Sequence, residues 1–437
     1  MSLFGSLFTG VSALSAQSQS MSMIANNISN VNTVGYKRNE AAFSSLVTQA
    51  SRSTVYSPGG VRASTEQTVN QQGTPQQTAS TTDVAISGSG FFVVQQSPTK
   101  SSGQETMYTR AGSFSEDENG YLRNSNGFYL MGWEIGDDGQ LVNATADVAS
   151  LTPVSVGFES GRTKQTTRAD VVLNLDARQN TSAPGPHFSR SMTVYDSLGE
   201  AQQLQLDFSA TGNANEWELV VSDARGGSIG SPPTTPVTPL TLTFGTNGRI
   251  DRVTTQTANG AYMDLNPAAD PNGDLTLNLP NIDWMNNSDA TQGITINISG
   301  MTQSASDYSV GTINQDGAEL GLRTGISIDA DGNVVASFSN GLTQNLARVP
   351  VATFTNPNGL QERSGNVYIQ TSQSGAYNLR EAGTAGAGKI ATSSLEASNV
   401  DLADEFSRMI VTQRAYSAGT KIISTADQML TELLQLR

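Results

Sequence analysis

Apolar residues near the end of the chain recur at alternating intervals of four and three positions. One column of this heptad pattern consists of Leu402, Met409, Tyr416, Ile423 and Leu430. The second column begins with Phe406, ends with Leu434 and is polar between them. A narrow apolar stripe of this kind is typical of a helix that packs against another helix. The pattern therefore predicts a helix over residues 398–437.

The first thirty residues follow the same spacing. Their apolar positions include Leu3, Leu7, Leu14, Met21, Ile24 and Ile28. The stretch contains no proline and no charged side chain, and Asn30 and Gly35 follow as helix-ending residues. A helix without charge is poorly suited to open solvent, so we expect it to be buried either in a core or by assembly. Since two narrow stripes can cover one another, residues 1–33 and 398–437 are predicted to form a terminal coiled-coil domain.

Between the helices, apolar and polar residues alternate as in β-strands. Short strands separated by Asn-Gly and Asp-Gly turns predict an inner β-domain over residues 80–156 and 310–375. Six stretches within 157–309 each place three apolar side chains on one face, which predicts an inserted antiparallel barrel or sandwich. The polar stretches 34–79 and 376–397 are expected to be extended connectors. The predicted fold class is mainly β with terminal α-helices and nested β-domains.

Composition excludes several classes of function. The net charge of −15 leaves no basic surface for nucleic acid or for an anionic membrane. The chain has no cysteine, so disulfides and thiolate chemistry are excluded. It contains no run of about 18 apolar residues that could insert in a membrane. Because the N-terminal stretch lacks a basic segment, it does not resemble a cleaved signal peptide.

Three motifs imitate catalytic or ligand sites; the first is better explained as a Gly/Ala hinge and the other two as turns. The stretch Gly383–Lys389 has the glycine spacing of a phosphate-binding loop, but Ile390 stands where a magnesium ligand is needed. Gly226–Gly230 has the form of a nucleophile elbow, yet His187 is the only histidine and lies in a predicted loop. Asp329–Asn333 lacks the glycine and glutamate positions of a calcium loop. We therefore predict no catalytic, cofactor-binding or metal-binding residues, and no enzyme.

The two ends of the chain resemble the signatures of flagellar rod–hook axial proteins. The N-terminal resemblance covers residues 12–16, 24–30 and 33–37, and the C-terminal one covers 398–402, 405–406, 409–410, 413–416 and 425–430. Hook members are the most similar, because Tyr195–Gly199 resembles a hook-specific segment and rod proteins are too short for the 157–309 insert. One departure is Ser393, where the family has glycine. The residues that carry the signature include Asn26, Asn27, Asn30, Gly35, Tyr36, Ser398, Asn399, Gln413 and Arg414.

The resemblance implies a structural subunit that polymerises into the curved hollow tube of the hook, a universal joint that transmits motor torque. It implies export by the flagellar type III apparatus without signal cleavage and an extracellular location. The implied partners are copies of the same chain, the distal rod, the hook cap and the hook–filament junction proteins. Two alternatives stay open from the residues alone: a distal rod subunit, and a secreted β-rich adhesin or enzyme.

Overall fold

A computed structural model describes residues 3–46, 59–99, 105–136, 139–142, 145–157, 161–179, 187–225, 228–229, 239–255, 275–289 and 291–435. The chain forms two compact units. The first comprises Met1–Phe158, Gly325–Ala336 and Thr343–Arg437, and the second comprises Glu159–Thr324 and Ser337–Leu342.

Two helices stand at the ends of the chain, α1 (Leu3–Ser29) and α2 (Leu402–Gln435). Gly10 lies against Ile423, and Leu14 lies against Gly419, so the helices run antiparallel. The mainly β chain with paired terminal helices is therefore confirmed. Neither helix, over its described residues, is both long and apolar enough to cross a bilayer.

The last helix begins later than residue 398. Asp401 caps it, because its side chain accepts hydrogen bonds from the backbone N–H groups of Ala403 at 2.8 Å and Asp404 at 3.3 Å. Ser398 instead accepts a bond from Val400 N in the turn before the helix, at 3.3 Å. The cap residue ends the extended segment and satisfies backbone donors of the first helical turn.

The strands are numbered in chain order. Before residue 158 lie β1 (Asn39–Leu46), β2 (Gly60–Gln67), β3 (Pro75–Gln77), β4 (Val84–Ser87), β5 (Phe91–Gln95), β6 (Met107–Thr109), β7 (Phe114–Glu116), β8 (Leu122–Asn124), β9 (Tyr129–Glu134) and β10 (Thr152–Pro153). Next come β11 (Gly161–Lys164), β12 (Arg168–Asp176), β13 (Phe188–Tyr195), β14 (Ala201–Ala210), β15 (Glu216–Asp223), β16 (Ser228–Ile229), β17 (Leu240–Phe244), β18 (Ile250–Thr255), β19 (Thr276–Asp283), β20 (Gln292–Asn297), β21 (Thr302–Ser304) and β22 (Ser309–Gln315). The last are β23 (Ala318–Ile328), β24 (Asn333–Phe338), β25 (Thr343–Arg348), β26 (Val351–Phe354), β27 (Gln361–Arg363), β28 (Val367–Ile369), β29 (Tyr377–Arg380), β30 (Lys389–Thr392) and β31 (Ser394–Glu396).

Strand β5 lies centrally in the first unit and supplies two cores. It pairs antiparallel with β6, β9 and β26. Phe92 and Val94 belong to one hydrophobic core, while Phe91 and Val93 belong to another. Side chains alternate across a strand, so a strand covered on both faces is apolar at every position. This explains the uninterrupted apolar run at 91–94.

The stretches expected to be connectors contain paired strands. Strands β1 and β2 form an antiparallel hairpin within 34–79. Further along the chain, β31 pairs with β3 and β30 pairs with β4, so residues 389–396 are tied to the N-terminal part of the same unit. The polar side chains of these stretches gave no apolar pattern from which strands could be predicted. Strand pairing is nevertheless possible there, because it is made by backbone groups.

The second unit contains two sheets that enclose one core. A five-stranded antiparallel sheet has the order β13-β14-β15-β17-β18, and a second sheet has the order β16-β19-β20-β12-β21 with β22 beside β12. The apolar faces predicted from alternation all lie in the shared core. The arrangement differs from a purely antiparallel sandwich, since β12 pairs parallel with β20 and β21. Alternation indicates which face is buried but not the direction of the neighbouring strand.

Candidate assembly site at the paired terminal helices

Small residues let the two terminal helices approach closely. A Cβ atom placed on Gly10 would lie 3.0 Å from Ile423 Cγ1, and one placed on Gly419 would lie 3.1 Å from Leu14 Cδ2. Each helix thus offers a glycine to a branched side chain of the other. Ala426, on the same face of α2 as Gly419, is also buried. In this contact, branched apolar side chains of one helix pack against small residues of the other.

Only part of the apolar stripe predicted on α2 packs against α1. Met409, Ile423 and Leu430 are partly buried, in agreement with one predicted column. The second column of the contact consists of Glu405, Thr412, Gly419 and Ala426, all buried. The two helices pair as predicted, but the contact includes residues outside the predicted columns. Gly419 and Ala426 permit a close approach of the helices, and Glu405 is accommodated by its hydrogen bond to Asn27.

Three residues of the predicted stripe stay on the surface of α2. Leu402 is 41% exposed, Tyr416 45% and Phe406 51%. Large apolar side chains exposed together mark interaction surfaces on soluble proteins. These residues are therefore available to contact another molecule.

On α1, the predicted residues line the contact more fully. Ile24 is buried, and Leu7, Leu14, Met21 and Ile28 are partly buried. The side chains of Leu3 and Leu434, which were also predicted, lie outside the described part of the structure.

Other exposed apolar side chains on the helices were missed by the heptad reading. They are Phe8, Val11, Ile410, Val411, Ile422 and Met429. Each lies off the predicted columns, so the period alone did not select it. Their size and apolar character were the available signal.

Asn27 lies near the C-terminal end of α1 and connects it to β1 and to the first turn of α2. The contacts around Asn27 are called the joint below. Its Nδ2 donates to Asn39 O at 2.9 Å and to Glu405 Oε2 at 3.2 Å. Its Oδ1 accepts from Tyr36 Oη at 3.2 Å and from Asn39 N at 3.1 Å. The side chain is buried, and all of its hydrogen-bonding capacity is used. The signature asparagine thus links α1, β1 and α2.

Behind this joint lies a buried cluster of three charges. Lys37 Nζ is 2.5 Å from Glu396 Oε1, and Arg110 Nη1 is 3.0 Å from Glu396 Oε2. Gly73 N also donates to Glu396 Oε1, at 2.8 Å. Burial lowers the pKa of Lys37, and the adjacent carboxylate of Glu396 opposes that effect. The cluster ties the segment after α1 to β31 and to the inner β-strands. The pattern of apolar and polar residues did not predict it.

The remaining signature residues have distinct environments. Gly35 has φ +68°, and its N–H donates to Glu396 O at 2.8 Å. Asn399 Oδ1 accepts from Arg38 N at 2.7 Å. Asn30 Nδ2 donates to Asn26 Oδ1 at the exposed end of α1, at 2.9 Å. Gln413 and Arg414 are exposed on α2 and take no part in this joint.

Tyr36, whose phenol hydrogen-bonds to Asn27, has a raised pKa. Burial, the largest cause, and the nearby carboxylates of Glu362 and Glu405 together raise its pKa to about 12. At neutral pH the phenol is therefore firmly protonated and donates to Asn27.

The imitated ligand motifs form turns where the structure describes them. Gly383 N donates to Gly388 O at 3.0 Å, which closes a loop between β29 and β30. Asp329 accepts from the backbone of Asp331 and Asn333 in the turn between β23 and β24. Gly226–Gly230 lies largely outside the described residues. Among the residues that are described, no three histidine or carboxylate side chains are grouped to hold a metal ion.

Four family models match the chain in sequence order. "Flagella basal body rod protein" matches residues 7–37, and "Flagellar hook protein FlgE/F/G D1 domain" matches 85–157. "Flagellar basal body protein FlaE D2 domain" matches 174–318, and "Flagellar basal body rod FlgEFG protein C-terminal" matches 391–436. Together they match most of both helices, strands β4 to β10 and most of the second unit.

Relatives align over the whole chain. Flagellar hook protein FlgE of Caulobacter vibrioides is 32% identical, and that of Brucella suis biovar 1 is 35% identical, each over all of both chains. A crystal structure of Helicobacter pylori flagellar hook protein FlgE2 is 16% identical with a TM-score of 0.46, covering 74% of this chain and all of that one.

Proposed function

Because this chain belongs to the flagellar hook protein family, and is a structural subunit of the bacterial flagellar hook, we propose that its terminal helices hold the subunits together in a curved hollow tube. That tube is the universal joint that transmits motor torque to the filament. The observation that carries the proposal is the exposure of Leu402, Phe406 and Tyr416 on a helix whose other face is packed. Covering such side chains stabilises a contact by about 25 cal/mol per Å² of apolar surface.

The assembly residues are those of the heptad columns. The members that pack α1 on α2 stabilise the helix pair of each subunit. The exposed members are buried against a neighbouring subunit when the polymer forms. The complete set is Leu3, Leu7, Leu14, Met21, Ile24, Ile28, Leu402, Phe406, Met409, Tyr416, Ile423, Leu430 and Leu434.

The division of labour follows the domains. Residues 1–33 and 398–437 form the helical tube, 80–156 with 310–375 the inner β-domain, and 157–309 the outer β-domain. The segments 34–79 and 376–397 connect them, and the Lys37–Glu396–Arg110 cluster supports this role by tying the connectors to the inner strands. A rigid joint at this position would carry force from the helices into the β-domains.

The proposal extends to location and partners. The chain leaves the cell through the flagellar type III apparatus without signal cleavage and acts outside it. It contacts copies of itself along the hook, and at the two ends the distal rod, the hook cap and the hook–filament junction proteins. It acts as a structural element and not as an enzyme, and needs no cofactor.

Electron microscopy of the purified chain beside the Phe406→Ser variant tests the proposal. We expect curved tubes from the unsubstituted chain and none from Phe406→Ser at the same concentration, with unchanged circular dichroism because Phe406 is exposed. Met285→Ser is the matched control, since Met285 is an exposed apolar side chain of the second unit. Tubes from Phe406→Ser as abundant as those of the control would overturn the role of the helices, and straight tubes would overturn the curvature.

A further inference from the structure

The hairpin of β1 and β2 meets strand β27 at the carboxylate of Glu362. Asn39 on β1 and Gln67 on β2 lie directly opposite one another, and both side chains reach this carboxylate. Glu362 Oε2 accepts from Asn39 Nδ2 at 3.4 Å and from Gln67 Nε2 at 3.3 Å. Glu362 makes no ion pair with any residue that the structure describes. Its negative charge is therefore held by two neutral amides.

Both amides are poorly satisfied in this arrangement. Hydrogen bonds to a carboxylate are usually about 2.7–2.9 Å long, so these two are weak. The other polar atoms of the amides, Asn39 Oδ1 and Gln67 Oε1, are buried and accept no hydrogen bond from the described residues. Asn39 is only 9% exposed, so its unpaired oxygen is costly. A half-turn about the terminal C–C bond of each amide exchanges its nitrogen with its oxygen and directs that oxygen toward Glu362.

The spacing of these atoms suits a calcium ion. After the half-turn, the amide oxygens take the positions of nitrogens that lie 3.4 Å and 3.3 Å from Glu362 Oε2. Ca²⁺ binds oxygen at about 2.3–2.6 Å, so two of its ligands at a right angle are roughly 3.3–3.7 Å apart. For Mg²⁺, with bonds of about 2.0–2.1 Å, the same separation is roughly 2.8–3.0 Å. Three oxygen ligands at this spacing therefore favour Ca²⁺ over Mg²⁺.

A polar cleft connects the carboxylate with solvent. The cleft has a volume of about 250 Å³, and Tyr36, Glu362 and Asn366 are among the residues that line it. Asn366 Oδ1 is a further buried oxygen that accepts no hydrogen bond in the described part of the chain. Ca²⁺ takes six to eight oxygen ligands, and water molecules commonly supply some of them. The cleft therefore offers an ion both a route to Glu362 and room for its remaining ligands.

We propose that Glu362, Asn39 and Gln67 bind one Ca²⁺ ion through their side-chain oxygens. The ion would join the β1–β2 hairpin to β27 and stabilise the first unit. Because the site has a single carboxylate, it differs from carboxylate-rich calcium loops, and its Kd is expected to be about 1 mM. Binding here goes beyond the proposed function and does not require the polymer.

Terbium luminescence and thermal unfolding of the full chain test the site. Tb³⁺ replaces Ca²⁺ at oxygen ligands and emits when a nearby phenol is excited, and Tyr36 lines the same cleft. We expect emission that Ca²⁺ displaces and that equal Mg²⁺ does not. Calcium at ten times its Kd should increase the ratio of folded to unfolded chain about elevenfold. Glu362→Gln should lose the emission and the calcium effect. Glu66→Gln, which removes an exposed carboxylate beside Gln67 on the same strand, should keep both.

Gln67→Glu tests the site in the opposite direction. The substitution places a second carboxylate beside Glu362, so the variant should be less stable than the unsubstituted chain in the absence of calcium. It should also bind calcium about tenfold more tightly or better, because affinity rises with the number of charged ligands. An unchanged calcium affinity in Gln67→Glu, or equal calcium responses of Glu362→Gln and Glu66→Gln, would overturn the site. Stabilisation by Mg²⁺ equal to that by Ca²⁺ would also overturn it, since it would show only screening of the net charge of −15.

Discussion

Asn27 and Glu405 are 378 positions apart in the chain and form a buried hydrogen bond of 3.2 Å between the first helix and the last. Glu405 also lies 3.7 Å from the guanidinium of Arg38. A buried carboxylate is stable only when its oxygens are satisfied. The amide of Asn27 therefore fixes the position at which α2 can start beside the end of α1.

Replacing Asn27 with alanine should destabilise the helix pair. The change removes a donor to Glu405 and an acceptor for Tyr36 and Asn39, at a cost of about 2–3 kcal/mol. Urea unfolding followed by circular dichroism at 222 nm measures the loss. Asn26→Ala is the matched control, because Asn26 is exposed and should cost under about 0.5 kcal/mol. Equal losses from the two variants would contradict the structural role of Asn27.

Replacing Glu396 with alanine should be more damaging. Lys37 and Arg110 would keep their buried charges without a carboxylate, which costs about 3–5 kcal/mol. Thermal unfolding of the variant reports the change. Glu381→Ala removes a partly exposed partner of Arg348 in the same unit and should cost under about 1 kcal/mol. A Glu396→Ala protein as stable as Glu381→Ala would show that the cluster does not hold the joint.

Gly35→Ala should disturb the segment between α1 and β1. A Cβ atom there would lie 2.8 Å from the backbone of Arg110 and Ala111, and the backbone already has positive φ. Gly341 has φ +81° with no atom within 4 Å of such a Cβ, so Gly341→Ala isolates the conformational cost of about 1 kcal/mol. Gly35→Ala should exceed that cost by ~1–3 kcal/mol in urea unfolding. Equal effects would mean that the close approach is relieved without strain.

Tyr36 should contribute to loss of stability at alkaline pH. Its pKa is raised to about 12 in the folded chain, against an ordinary value of 10. Between pH 10 and 12 the unfolded chain releases this proton while the folded chain keeps it, so the stabilisation present below pH 10 is lost as the pH rises toward 12. Absorbance titration at 295 nm should show one late-titrating phenol fewer in Tyr36→Phe. The same titration in urea should abolish the difference in titration midpoint, and a Tyr36 that titrates near 10 when folded would refute the assignment.

Much of the fold follows from the period of the apolar residues. The heptad spacing of Met409, Ile423 and Leu430 indicated a helix, and alternation on strands such as β14 indicated a buried face. Both features depend on local geometry alone. The terminal signature also singled out Asn27, Tyr36 and Asn399, which the structure brings to one joint. The buried partners Glu396 and Arg110 could not be paired in advance, because their contacts join residues that are far apart in the chain.

The sequence by itself determined that the chain has apolar helices at its ends, alternating strands between them and the segments of its family. Only the tertiary structure decided which face of α2 packs on α1, and that Leu402, Phe406 and Tyr416 stay exposed. The physical reason is that periodicity records which side chains favour an apolar environment, but not which chain supplies it. Close packing at Gly10 and Gly419 selects the face that is buried within the subunit, and it leaves these larger side chains exposed.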